Sequence, residues 1–162
     1  MALEIEHKFL VRDESWRAQV SRSQRMDQGY LGSLPVNGED HGRSSVRVRV
    51  AGAEAHLNIK SRTAGHSRLE FEYPIPLAEA EEILSQCANL RIEKIRHWVP
   101  VGELCFEVDE FLGANQGLVV AEIELKTVGQ YFPQPAWLGV EVTDDLRYYN
   151  TELAKHPWSR WS

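Results

Sequence analysis

The sequence predicts an α+β fold dominated by an antiparallel β-sheet, with three helices beside it. Three observations carry that prediction. Apolar and charged residues alternate with a period of two through most of the chain, as they do in strands whose two faces differ. Clusters rich in Gly, Pro, Asn and Asp separate these segments, and connections so short join antiparallel neighbours. Only three stretches combine helical apolar spacing with a cap or a stop.

Eight strands are expected in chain order. The first covers residues 3–11, and Asp13 then caps a short helix running to about Val20. A second strand at 26–34 ends in the turn Pro35-Val36-Asn37-Gly38 and the charged stretch 39–42. Strands at 46–50 and 56–60 flank Ala51-Gly52, and Thr63-Ala64-Gly65 leads to a strand at 68–75. Residues 77–89 read as a helix, with Glu79, Glu81 and Glu82 near the end where the helix dipole favours acids. Strands at 94–99, 105–111 and 119–128 follow, separated by Val101-Gly102 and by 113–117. Thr143-Asp144-Asp145 opens a third helix through Leu146 to Lys155, which Pro157 stops.

With 162 residues, 43% of them hydrophobic and 26% charged, the chain is expected to form one globular domain, 1–162, with a core of its own. No apolar run reaches the length of a membrane-spanning helix, and no basic region followed by an apolar stretch opens the chain, so a cytoplasmic location is expected. The net charge of −6 argues against sequence-independent binding to duplex nucleic acid. Cys87 and Cys105 are too few and too far apart for a disulfide framework or a zinc site, and are expected to pack as small reduced hydrophobes. His41, His56, His66, His97 and His156 lack metal-ligand spacing. There is no nucleophile elbow around Ser44 and Ser45, no P-loop and no dinucleotide-binding glycine pattern.

Side chains two apart on a strand share a face. One face therefore carries Glu4, Glu6 and Lys8; Arg47 and Arg49; Asn58 and Lys60; Arg68, Glu70 and Glu72; Lys94 and Arg96; Glu107 and Asp109; and Glu122 and Glu124. The other carries residues such as Ile5, Phe9, Val48, Leu57, Phe71, Val108 and Ile123. A solvated sheet face would be ionised too. Here, however, like charges stand side by side, and they repel unless something of opposite sign lies between them. If a sheet of about eight strands closes, its interior holds side chains and one small ligand. Clustered Lys and Arg in that space call for a compact polyanion, and clustered carboxylates for a hard divalent cation, Mg²⁺ or Mn²⁺.

Glu4-Ile5-Glu6-His7-Lys8, followed by Phe9-Leu10-Val11, resembles the E-x-E-x-K signature of the CYTH proteins, also called triphosphate tunnel metalloenzymes. That family includes inorganic triphosphatases, thiamine triphosphatases and class IV adenylyl cyclases. The likeness continues through Val46-Arg47-Val48-Arg49, Leu57-Asn58-Ile59-Lys60, Arg68-Leu69-Glu70-Phe71-Glu72, Glu93-Lys94-Ile95-Arg96, Phe106-Glu107-Val108-Asp109, Ala121-Glu122-Ile123-Glu124, and Glu141-Val142-Thr143 with Arg147-Tyr148-Tyr149-Asn150. In compact length and in the Glu-Val-Thr ending the chain is most similar to the short bacterial members that act on tripolyphosphate.

The resemblance implies a closed eight-stranded antiparallel barrel, or tunnel. It implies Glu4, Glu6, Glu122 and Glu124 as metal-site carboxylates, with Asp109 as a further ligand and Mg²⁺ or Mn²⁺ as the ion. Lys8, Arg47, Arg49, Lys60, Lys94 and Arg96 would hold phosphate oxygens. Glu4, Glu6, Lys8 and Tyr30 form the expected catalytic group, in which the Tyr30 hydroxyl either tunes Lys8 or belongs to a packing aromatic. Arg68, Glu70 and Glu72 are either ligands or an internal charge network, and Tyr148 and Lys155 either close one mouth or lie on a surface helix.

Three functions compete. The first is hydrolysis of inorganic tripolyphosphate to pyrophosphate and phosphate. The second is hydrolysis or cyclisation of an organic triphosphate, which needs an aromatic or apolar platform at the tunnel mouth, a place to which the sequence does not assign Trp16, Trp98 or Trp137. The third is a polyphosphate-binding module without turnover, which has less use for paired carboxylates. The expected partner is a small polyphosphate, with neither nucleic acid nor membrane, and the protein is expected to be a monomer or homodimer.

Overall fold

A computed structural model of the chain describes residues 5–32, 44–61 and 69–161. Among the described residues there are nine strands: β1 (Ile5–Val11), β2 (Arg22–Leu31), β3 (Ser44–Ala51), β4 (Glu54–Ser61), β5 (Glu70–Pro74), β6 (Leu90–Val101), β7 (Leu104–Phe111), β8 (Val119–Leu125) and β9 (Leu138–Glu141). Their hydrogen-bonded order is β5-β4-β3-β2-β6-β7-β8-β1-β9. The pairs β1–β8, β1–β9, β2–β3, β3–β4, β4–β5, β6–β7 and β7–β8 are antiparallel, as short connections favour. The order ends at β5 and β9, so among the described residues hydrogen bonds do not close the sheet. Two α-helices accompany the strands, α1 (Leu77–Gln86) and α2 (Asn150–Lys155), with four short 3₁₀ segments.

The eight expected strands are all present: β3, β4, β6 and β7 run longer than expected, β2 begins earlier, at Arg22, and β5 and β8 are shorter, while the expected positions 3–4, 33–34 and 68 lie outside the described residues. The ninth, β9, has only four residues and follows a proline-rich stretch, too little for a period to show. Asp13 does take up an orphan donor: its carboxylate accepts from the Ser15 backbone N–H at 2.8 Å, opening a 3₁₀ turn over Ser15–Gln19 where a short helix was expected. The expected third helix divides into a 3₁₀ turn, Leu146–Tyr148, and α2.

The chain divides into two compact units. Unit 1 comprises Met1–Arg25 and Lys94–Ser162, and unit 2 comprises Met26–Glu93. In unit 1 the apolar faces of β1, β7 and β8 align rung by rung: Phe9 lies opposite Ala121, His7 opposite Ile123, and Val108 opposite Ala121. Phe9, Phe106, Val108, Ala121 and Ile123 join Val99, Trp16 and Trp137 in one buried cluster. Full burial of such side chains stabilises by roughly 1.5–3 kcal/mol each. Trp16 and Trp137 are therefore core residues and offer no platform to a ligand.

In unit 2, α1 lays Ala80 and Leu84 on Val48 and Ala55. The approach is permitted by Gly29, which lies opposite Val48 on the face that α1 covers. A Cβ at Gly29 would come within 2.7 Å of Ala88 Cβ and 2.8 Å of Leu84 Cδ2. Gly52 and Gly102 take positive φ of 62° and 63° in the two-residue turns β3–β4 and β6–β7, where a side chain would be strained. On the edge strand β5, Phe71 and Tyr73, together with Leu69 just before it, are exposed, although the alternation marks them as core-facing.

The two cysteines depart from expectation. Cys87 and Cys105 are both exposed free thiols. Cys87 follows the last turn of α1, and Cys105 shares the ionised face of β7 with Glu107, so neither position faces a core.

Gly29→Ala is expected to destabilise the protein by about 1–3 kcal/mol through overpacking against α1, read as a lower midpoint in urea with an unchanged slope.

Candidate active site

In unit 1 the ionised face is assembled across four strands by register. Glu6 lies directly opposite Glu124, and Lys8 opposite Glu122. Glu122 lies opposite Glu107 on its other side, and Asp109 lies opposite Arg96. Like charges directly opposite one another are destabilising without a cation between them. The Glu6–Glu124 and Glu107–Glu122 rungs are such pairs, and cations from neighbouring positions reach into them. Lys8, almost fully enclosed, places its ammonium on Glu122 and 3.8 Å from Glu6. Arg96 reaches Glu107 at 2.8 Å.

Asp109 takes a part that sequence reasoning did not give it. The alternation sets it beside Glu107, and the family resemblance implies it as a further metal-site carboxylate. In the structure it is 2% exposed and both of its oxygens are engaged. Oδ2 accepts from Lys94 Nζ at 2.7 Å and from Arg96 at 2.9 Å, and Oδ1 accepts from Arg96 Nε at 2.8 Å. Burial alone would push this carboxyl up, but the Lys94 ammonium and the Arg96 guanidinium overrule it and hold it at about 2. For Arg96 the balance also favours the charged form, since Asp109 outweighs burial. Burial draws the Lys94 ammonium down, with Asp109 opposing. Burial raises the Glu107 carboxyl, with Arg96 opposing. Asp109 thus serves as the counterion that keeps two enclosed cations in place.

Unit 2 has its own cationic face. Arg47 lies between Tyr30 and Asn58, and Arg49 between Gln28 and His56, so the neighbours in register are neutral or titratable groups rather than carboxylates. The Nε of Arg47 is buried without a hydrogen-bond partner among the described residues, and so is Oδ1 of Asn58. Such orphans are expensive unless a ligand meets them. The Tyr30 hydroxyl lies 3.4 Å from Gln28 Nε2 and is held by Arg47. Burial raises its pKa, with Arg47 opposing, so it stays a neutral phenol and an orienting partner of that arginine.

Lys60 stands 3.9 Å from Glu70, and His56 stands 3.7 Å from Glu72. The Asn58 amide donates to both glutamates, at 3.1 and 3.2 Å. Of the two roles left open for Glu70 and Glu72, these contacts fit the charge network. Glu4 and Arg68 lie outside the described residues. Tyr148 is buried, and Lys155 pairs with Glu152 at 3.2 Å, an ordinary helix-surface contact.

The donor set around Glu6 and Glu124 is all carboxylate oxygen and suits a hard divalent cation. Among the described residues no three His, Cys, Asp or Glu side chains gather around one point, so this pair needs further oxygens to complete a site. Gln28, Asn58, Thr143 and Tyr149 were given no role by the sequence. Gln28 and Asn58 can be found only from their burial on the ionised face, and the other two from contacts with Lys8.

The stabilisation from Asp109 is present above its unfolded pKa near 3.8 and is lost as pH falls through its folded value near 2. At neutral pH Asp109→Asn leaves Lys94 and Arg96 enclosed without their anion and is expected to cost about 3–5 kcal/mol. Urea titrations should show the gap between wild type and variant narrowing as the pH is lowered from about 4 towards 2.

The chain is similar to known proteins over nearly its whole length. The family model for the CYTH domain matches residues 2–156. An inorganic triphosphatase of Acetivibrio thermocellus is 42% identical over 162 residues, covering 99% of each chain. Another, from Nitrosomonas europaea, is 36% identical over 158 residues, covering 93% of this chain and 96% of its own. The crystal structure of an inorganic triphosphatase superposes with a TM-score of 0.74 at 30% identity, covering 95% of both chains. With charged rungs and cation pairs on the strands that the family signature marks, this chain belongs to the CYTH domain family.

Proposed function

We propose that this protein is a phosphohydrolase that cleaves inorganic tripolyphosphate to pyrophosphate and phosphate with the help of Mg²⁺ or Mn²⁺. The reading rests on one observation above the others: each unit keeps two or more cations, buried or half-buried, on the ionised strand face. In unit 1 these are Lys8, Lys94 and Arg96, and in unit 2 Arg47 and Arg49 with the more open Lys60. Charge density of that kind recognises a compact polyanion through charge-assisted hydrogen bonds. The likeness to two proteins named inorganic triphosphatase, at 42% and 36% identity over nearly the whole chain, supports the same reading.

Glu4, Glu6, Glu122 and Glu124 would hold the divalent cation. When bound, such an ion lowers the pKa of water and neutralises charge on phosphoryl oxygens. The residues of the chain do the remainder. Lys8, Lys94 and Arg96 bind and orient phosphate oxygens, and Asp109 keeps the last two aligned. Arg47, Arg49 and Lys60 would do the same in unit 2, with Tyr30 fixing the Arg47 fork. Phosphoryl transfer asks little more of a protein than position and charge, so no covalent nucleophile is needed.

An organic triphosphate would add an aromatic or apolar subsite. Of the three tryptophans considered for it, only Trp98 lies on the ionised face, opposite Glu107, and its ring is already covered by Arg22 at 4.5 Å. We therefore favour the inorganic substrate. We also take residues 1–162 to act as one functional domain, since the family model spans both units, and expect a cytoplasmic monomer or homodimer. No helix among the described residues is long and apolar enough to cross a membrane.

The test is phosphate release from tripolyphosphate, thiamine triphosphate and ATP side by side, with Mg²⁺, Mn²⁺ or chelator. Metal-dependent release from tripolyphosphate well above the other two is expected, and tight binding without release would replace the enzyme by a binding module. Glu124→Gln should lower metal-supported turnover by about 100-fold or more while leaving the fold intact, because it relieves a like-charge rung. Arg47→Ala should weaken tripolyphosphate binding by roughly 10- to 100-fold in calorimetry, the loss of a charge-assisted hydrogen bond.

A further inference from the structure

Lys8 is gripped by a part of the chain far from it in sequence. Its backbone carbonyl accepts from the Val142 N–H at 2.8 Å, and its own N–H donates to Thr143 Oγ1 at 3.0 Å. Thr143 Oγ1 in turn donates to the Glu141 carboxylate at 2.7 Å, which His7 approaches at 3.1 Å. The chain then turns back, and the Tyr149 hydroxyl donates to the Thr143 carbonyl at 2.8 Å. That bond fixes the ring relative to Thr143, and therefore relative to Lys8. The Lys8 ammonium lies 4.5 Å from the centroid of the Tyr149 ring, within cation–π range.

We infer that Tyr149 is a positioning residue: its ring, tethered through Thr143, confines the Lys8 ammonium between the aromatic face and Glu122 so that it meets substrate phosphate in one orientation. The inference rests on the triphosphatase reading for its substrate but not for its geometry. An ammonium on a four-carbon stem has many rotamers, and pre-ordering one of them removes an entropic cost from the bound and reacting states. Glu122 supplies the charge that neutralises Lys8. The ring attracts the ammonium through its quadrupole without consuming a hydrogen-bond donor, so a donor remains for a phosphate oxygen. A carboxylate in the ring's place would compete with the substrate for the same proton.

The test compares wild type with Tyr149→Leu, which removes the ring, and Tyr149→Phe, which keeps the ring and loses the tether. Two readouts are taken: phosphate release from tripolyphosphate, and the Lys8 ε-methylene resonance, which a ring face shifts upfield. Tyr149→Leu is expected to lose the upfield shift and about 5- to 10-fold in kcat/KM, with Tyr149→Phe recovering the shift and most of the rate. An unshifted Lys8 in wild type, full activity in Tyr149→Leu, or a loss in Tyr149→Phe as large as in Tyr149→Leu would overturn the inference, the last by making Tyr149 a tether only. Should Tyr149→Leu fail to fold, Tyr149→Met, which fills a similar volume without a ring, takes its place in both readouts. If no form, wild type included, releases phosphate, the triphosphatase reading falls. The Lys8 resonance and the midpoint of a tripolyphosphate titration then decide the positioning role, with the same 5- to 10-fold weakening expected in Tyr149→Leu.

Discussion

Enclosing Lys94 and Arg96 on one strand is possible only because Asp109 meets both of them from the next. The trio is the constraint on which the rest of unit 1 depends. Two cations side by side repel, and a buried ammonium without an anion is among the costliest features a fold can carry. Asp109 removes both difficulties with one carboxylate, bonded to Lys94 at 2.7 Å and to Arg96 at 2.8 and 2.9 Å. The register of β6 on β7 must be right for this to happen, since a slip of one residue would send Arg96 to the opposite face. The same register stacks Val99 on Phe106 in the apolar cluster. Charge pairing on one side of the sheet and packing on the other thus specify the same alignment, a local agreement that favours a single native state.

The two units handle their cations differently. In unit 1 each cation on the ionised face has a carboxylate nearby, and two rungs pair carboxylate with carboxylate, Glu6 opposite Glu124 and Glu107 opposite Glu122. In unit 2 the arginines of β3 are flanked in register by Tyr30, Asn58, Gln28 and His56, with Glu70 and Glu72 one strand further off. One face is arranged to accept a cation and the other to accept an anion.

Much of this was legible in the sequence because strand alternation is a local property. Glu6 with Lys8, Arg47 with Arg49, and Glu122 with Glu124 declare a shared face from spacing alone, and the structure puts each pair on one. What spacing does not encode is which strand comes next. Asp109 could not be read as the partner of Lys94 and Arg96 without the β6–β7 register, nor Tyr149 as the neighbour of Lys8 without the fold-back after β9. The four residues of β9 were too short to show a period, and the first half of β2 is polar on both faces. The cysteines misled for a related reason: composition says that Cys is usually buried, but the position of Cys105 beside Glu107 overrides it.

The edge strand β5 has a consequence of a different kind. Among the described residues it has a strand neighbour on one side only, and Phe71 and Tyr73 are exposed along it with Leu69 just ahead. Such an edge is a template for another chain to pair with, and what guards it are Glu70 and Glu72 on the alternate positions. These two glutamates therefore have a second duty as gatekeepers of solubility. Neutralising them, by mutation or by acid, would convert five residues of ordinary sheet into a nucleus for aggregation.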